Sequence, residues 1–133
     1  MEDLRVYIVN PEKNEEVGQW FRMPVNMDGV REQLGAGDYV IRDYELPFKF
    51  NEDMQLEEVN QLCMMVEELP QYVKDEFSVL LEHFDGSVEY LYENYDRIRR
   101  YSDCETIADV MSLYRLGDGT YIETGHGIYE IDR

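Results

Sequence analysis

The amino-acid sequence predicts an α+β protein with a small strand-rich N-terminal part, a helical middle and a C-terminal strand pair. Three observations carry this. Apolar residues alternate near the N-terminus, recur at three- and four-residue steps through the middle, and alternate again near the end. Strands thus lie at both ends with helices between them, which is not the βαβ alternation of a parallel sheet.

Leu4, Val6 and Ile8 alternate over residues 4–9, predicting a strand that stops at Asn10-Pro11. Residues 11–16 read as a polar loop, and residues 18–24, with Trp20, Phe21 and Met23, as a second strand. Asn26 can cap a helix over 27–34 that turns Met27, Val30 and Leu34 to one face and stops at Gly35. A turn at Gly35-Ala36-Gly37 leads to a third strand over 39–46, closed by Pro47.

The middle is helical. Over residues 54–69, Leu56, Val59, Leu62, Val66 and Leu69 form an apolar stripe, ended by Pro70. Val73, Phe77, Leu80, Leu81 and Phe84 mark a second helix that stops near Asp85-Gly86. Ser87 can cap a third, with Val88, Leu91, Tyr95 and Ile98 inward. Ser102 and Glu105 have capping-box spacing ahead of Ile107, Val110, Met111 and Tyr114, with Gly117 as the stop. A hairpin over 120–131 turns near Gly125-His126-Gly127.

The pattern changes from strand to helix near residue 50. That divides the chain into an N-terminal α+β part over 1–50 and a helical part with C-terminal strands over 51–133, or leaves one continuous elongated unit. No internal repeat, low-complexity tract or flexible linker interrupts it.

Composition excludes several classes of function. Eleven Tyr, five Phe and one Trp belong to a chain that folds, since disordered acidic chains are poor in aromatics. Thirty acidic residues against twelve basic ones give −18, which rules out direct binding to nucleic acid or to an anionic membrane surface. A basic protein partner remains. No apolar run approaches the length of a membrane span, and the first residues lack the pattern of a signal peptide. Cys63 and Cys104 sit in helical-looking segments without metal-ligand spacing, consistent with free thiols and a cytoplasmic location.

Catalytic constellations are sparse. His83 falls on a helix with no second His at metal spacing, and His126 sits between two Gly in the turn. A Cys104–His126 nucleophile pair has no local support. The Asp118-Gly119 stretch lacks the ligands of a calcium loop, and no phosphate loop or dinucleotide fingerprint occurs. Met64, Met65 and Met111 read as core or part-exposed helix residues. No catalytic, cofactor-binding or metal-ligating residue is nominated. The expected protein is not an enzyme.

Charge is unevenly spread. Residues 1–50 carry ten acids and six bases, residues 51–100 thirteen and four, and residues 101–133 seven and two. Between Glu52 and Asp96 thirteen acids meet one base, Lys74. Glu57, Glu58, Glu67, Glu68, Asp75, Glu76, Glu82, Asp85, Glu89, Glu93 and Asp96 all fall off the apolar stripes. Neighbours three or four apart on a helix stand about 5–6 Å apart, so such rows resemble successive phosphates. At one charge per about 1.7 Å of duplex, eighteen charges match about 30 Å of DNA, roughly the length of a 20-residue helix. These eleven carboxylates are the candidate partner-binding residues. Acidic faces that are merely solvated, and halophilic adaptation, are the competing explanations. Scarce Lys and interleaved Tyr90 and Tyr92 weigh toward a partner surface.

The sequence resembles the ArdA antirestriction family. The resemblance rests on Val6-Tyr7-Ile8-Val9-Asn10, Val17-Gly18-Gln19-Trp20-Phe21 and Pro24-Val25. It continues through Tyr39-Val40-Ile41-Arg42-Asp43-Tyr44-Glu45-Leu46-Pro47-Phe48 and Leu56-Glu57-Glu58-Val59-Asn60-Gln61-Leu62. Ser102-Asp103-Cys104 and His126-Gly127-Ile128-Tyr129-Glu130-Ile131 complete it. It implies an elongated, acidic, cofactor-free DNA mimic that blocks the DNA-binding groove of type I restriction–modification enzymes. It also implies carriage on a mobile genetic element and a homodimer. One departure stands out: Leu116-Gly117-Asp118-Gly119-Thr120 directly bridges a place where the family carries a further acidic, tyrosine-containing segment that helps form the dimer. Oligomeric state and target therefore stay open. Two alternatives stand beside this one. One is an acidic inhibitor of another DNA-binding protein, such as an anti-CRISPR. The other is a salt-insensitive interaction module working through Trp20, Phe21, Tyr90 or Tyr92.

Overall fold

Alternation in the first strand puts Val6 and Ile8 in the interior, and the chain builds an antiparallel sheet around them. The structure, a computed structural model, describes residues 4–13 and 18–133. Residues 14–16 of the expected polar loop, and Val17, lie outside the described residues. Strands β1 (Arg5–Val9), β2 (Gly18–Arg22) and β3 (Val40–Glu45) form a sheet of order β2-β1-β3. Its central strand is buried along Val6, Ile8 and Val9, and the register slips at Tyr7/Ile8, where β3 carries one extra residue.

Helix α1 (Met27–Leu34) begins where Asn26 accepts a hydrogen bond from the Asp28 N–H, the cap that the sequence predicts. It stops at Gly35, whose φ of +78° is a backbone position that disfavours side chains. Buried Asn10 donates to Leu34 O and Ala36 O at 2.8 and 3.2 Å, satisfying carbonyls at that helix end. Helix α2 (Leu56–Glu68) follows, with Leu56, Val59, Leu62, Cys63 and Val66 buried as its period requires.

The chain divides into two compact units, residues 1–68 and 69–133. The sequence pattern changes near residue 50, whereas α2 is grouped with the first unit. Reciprocal hydrogen bonds between Val25 and Asn60 tie the helix there.

In the second unit the single helix expected over 73–84 is two: α3 (Gln71–Lys74) and α4 (Phe77–Glu82). Glu76, at φ −128° and ψ 39°, breaks the ladder. Ser87 then caps α5 (Val88–Asn94) through the Tyr90 N–H, as predicted. Helix α5 stops short of Tyr95 and Ile98, although Ile98 is buried as expected. It passes into a short 3-10 turn, Tyr95–Arg97, and Ile98 opens strand β4 (Ile98–Tyr101).

The next helix, α6 (Ile107–Leu113), is capped at Thr106, four residues after the expected Ser102 cap. Thr106 and Asp109 form the capping box, because the chain is still in β4 at residue 101 and needs a turn to leave it. Val110 is buried, but Met111 and Tyr114 are exposed rather than inward. The helix also ends before Gly117. Strands β5 (Thr120–Thr124) and β6 (Gly127–Ile131) form the expected hairpin, and β4 joins them in a sheet of order β4-β6-β5. At Gly127, φ is +120° and a Cβ would lie 2.7 Å from Tyr101 O, so only glycine fits. A cluster of Cys104, Val110 and Ile128, with Tyr101, Ile107, Leu116 and Tyr121 against it, packs α6 onto this sheet.

Candidate partner-binding surface

Because the apolar stripe of α2 faces inward, the four acids of the helix, at its two ends, face solvent. Glu57 and Glu58 are exposed at its start and Glu67 and Glu68 at its end, with exposed Gln61 and Met64 between them. At 1.5 Å rise per residue the two acidic pairs lie about 15 Å apart along the axis. Acids in the first turn suit the helix dipole, while Glu67 and Glu68 oppose it at the C-terminus, where the last turn holds no base.

The second unit carries the longer run. Glu82 ends α4, Asp85 occupies the turn, Glu89 and Glu93 lie one helical turn apart on α5, and Asp96 sits in the 3-10 turn. All five are exposed. Among the described residues no cation forms an ion pair with any of them. The like-charged Glu89–Glu93 pair costs α5 about 0.2–0.5 kcal/mol. Asp85 adds a second cost. The Gly86 N–H bonds back to Leu81 O at 3.0 Å, a Schellman-type stop, and Asp85 holds φ +59° where glycine is preferred.

Asp75 and Glu76 are placed differently. Asp75 accepts from Gln71 at 2.9 Å and from Arg100 at 3.2 Å, and Glu76 Oε1 lies 2.7 Å from His126 Nδ1. The Gln71 amide, helped by the nearby His126 and Arg100 charges, holds the Asp75 carboxyl below the usual range. Of the eleven nominated carboxylates, these two are half-buried and engaged within their own unit.

Several further acids are absorbed by the fold. Asp109 caps α6, and Asp103 accepts from the Tyr114 hydroxyl at 2.6 Å. Glu123 accepts from the Ile107 N–H at 3.0 Å. Buried Glu130 accepts from Tyr101 at 2.7 Å and Tyr121 at 2.9 Å, stitching β4, β6 and β5 together. Tyr101 and Tyr121 are both held above the ordinary phenol range, Tyr101 chiefly by its hydrogen bond to Glu130 and Tyr121 chiefly by burial. In the first unit Arg5 grips Glu45 across β1 and β3 at 2.6 and 2.7 Å and lies 4.7 Å from the Trp20 ring. Sequence counting could not separate these engaged acids from the open ones.

Aromatic rings accompany the run in the second unit. Tyr90 is exposed with its edge against Phe84 at 5.1 Å, and Tyr92 lies 6.5 Å from Tyr95. Nucleophile chemistry finds no such support. Burial pushes the Cys63 thiol up to about 12. Cys104, in the turn before α6 rather than in a helix, is buried with its sulfur 3.7 Å from Asp103, and both effects raise it. The His126 ring is on Glu76, and His83 is an exposed residue at the end of α4. Among the described residues no group of three or more potential metal ligands converges. Among the described residues no helix is long and apolar enough to cross a membrane.

The family model for antirestriction protein (ArdA) matches residues 6–130 of the 133, from β1 into β6. The chain belongs to the ArdA antirestriction family. No curated protein matches it significantly. Membership in the ArdA family gives the protein an antirestriction function, with restriction enzymes as the proteins it acts on. For an ArdA protein, the exposed acids along residues 82–96 form a candidate contact surface in the second unit, and the exposed acids of α2 form a separate one in the first.

Proposed function

We propose that this ArdA protein is a DNA mimic whose exposed carboxylates engage the Lys and Arg lining the duplex groove of a type I restriction–modification enzyme. One observation carries the reading. Glu82, Asp85, Glu89, Glu93 and Asp96 recur every three or four residues, all exposed and, among the described residues, none ion-paired, along a segment with no Lys or Arg. Neighbouring anions at such intervals offer a basic groove what a phosphate backbone offers it. Glu57, Glu58, Glu67 and Glu68 extend the same chemistry on α2. The inhibitor acts by occupancy in the cytoplasm, needs no cofactor, and performs no reaction.

A displacement assay tests this directly, using labelled duplex DNA bound to a purified type I enzyme. Addition of the protein is expected to release the DNA competitively, with an inhibition constant that weakens as salt rises. Persistent DNA binding in the presence of saturating inhibitor would exclude occlusion of the groove.

Met111 and Leu113, each 62% exposed at the end of α6, favour a second reading in which contact is apolar. Inhibition by that route would be nearly indifferent to salt.

A further inference from the structure

Asp75 and Glu76 sit at the break between α3 and α4, and the residues of the break do not account for it. The apolar positions Val73, Phe77, Leu80, Leu81 and Phe84 are compatible with one uninterrupted helix, and no Gly or Pro intervenes. Asp75 is still helical at φ −58°, whereas Glu76 is not. Both side chains are held from a distance in sequence. Arg100 comes from β4, 25 residues on, and His126 from the β5–β6 turn, 50 residues on. Two tyrosines fasten the preceding turn to the same sheet. The Tyr129 hydroxyl donates to Tyr72 O, and the Tyr72 hydroxyl donates to Ile98 O at 3.0 Å. Helix α4 leaves from this fastened point, and Glu82 to Asp96 follow from α4.

Side-chain exposure agrees, at 23% for Asp75 and 16% for Glu76. A cation from a partner would have to displace Arg100 or His126 to reach them. We propose that Asp75 and Glu76 are positioning residues rather than phosphate mimics: their pairs with Arg100 and His126 brace the α3–α4 break and so aim the acidic run of residues 82–96. The inference rests on the mimicry reading and removes Asp75 and Glu76 from its contact residues, as the two that orient the run of residues 82–96.

The test compares Glu76→Gln, Glu76→Ala, His126→Ala and the double variant Glu89→Gln/Glu93→Gln. Each is measured for binding to a purified type I enzyme across a salt series and for thermal unfolding. Glu76→Gln removes a charge but keeps an acceptor for His126, so affinity is expected to stay within about twofold with an unchanged salt slope. Glu76→Ala and His126→Ala are expected to weaken binding about tenfold at every salt concentration, again with the slope unchanged. His126→Ala removes no acid, so its loss cannot come from a missing phosphate mimic. If Glu76→Gln flattens the slope as the double variant does, Glu76 is a contact residue and the proposal fails. It fails too if the alanine variants lower only the melting temperature.

Should the double variant leave the slope untouched, the mimicry reading is what fails. The brace is then judged alone, by amide hydrogen exchange over residues 77–96. Faster exchange in Glu76→Ala than in Glu76→Gln supports it, and equal exchange overturns it.

Discussion

Val25 and Asn60 exchange two hydrogen bonds: the Val25 N–H donates to Asn60 Oδ1 at 2.8 Å, and Asn60 Nδ2 donates to Val25 O at 3.0 Å. One side chain on α2 thereby satisfies both backbone groups of a residue in the segment between β2 and α1. Asn60→Ala strands both groups in a part-buried site, which costs about 1–3 kcal/mol. Urea unfolding is expected to show that loss, and an unchanged midpoint would mean that water replaces the amide freely.

Asp85 is predicted to be a site where stability and binding oppose one another. Its left-handed backbone, φ +59°, suits glycine, so Asp85→Gly is expected to stabilise the protein by about 1 kcal/mol. The same change removes one exposed acid and should weaken target binding slightly. A thermal melt and a titration on one sample check both signs, and tighter binding would contradict the role given to Asp85.

Asp109 accepts the backbone N–H groups of Glu105 and Thr106, which hold its carboxyl below the ordinary range. A depressed folded value means that its contribution is present above the unfolded carboxylate pKa, about 3.9, and is lost as pH falls through the folded value. Asp109→Asn should therefore be less stable than the parent at neutral pH, and the gap should close on acidification below about pH 4. Thr106→Ala, which removes the other half of the box, should cost about 1 kcal/mol with little dependence on pH. Stability measured from pH 7 downward distinguishes the two.

Burial of Cys63 and Cys104 predicts slow thiol chemistry. With the Cys63 thiol pushed up to about 12, almost none is thiolate at pH 8. A thiol-reactive dye should label neither cysteine in the native protein and both in denaturant. Rapid native labelling of either would show that its surroundings open readily.

What could be read from the sequence was what short-range chemistry decides. The Asn26 and Ser87 caps, the buried stripe of α2 and the Gly125-His126 turn each depend on neighbours within a few positions. Strand β4 could not be found that way. Ile98-Arg99-Arg100-Tyr101 offers one apolar residue inward, and its partner strand lies about thirty residues on. Once β4 exists, the chain needs a turn after Tyr101 before a helix can begin, which is why Thr106 and not Ser102 opens α6. The acidic surface was legible as a total and as a segment. Which acids stay open depended on distant cations, such as Arg100 on Asp75 and His126 on Glu76, that sequence spacing does not reveal.

Neutralising the whole run at once tests the account most directly, in the variant Glu82→Gln/Asp85→Asn/Glu89→Gln/Glu93→Gln/Asp96→Asn. Single exposed ion pairs are worth about 0–1 kcal/mol, so the five together should weaken binding to a type I enzyme by about tenfold or more. The fall in affinity between about 50 and about 200 mM salt should flatten in the same variant. A folded variant that binds with the parent's affinity and the parent's salt slope would contradict DNA mimicry by these carboxylates.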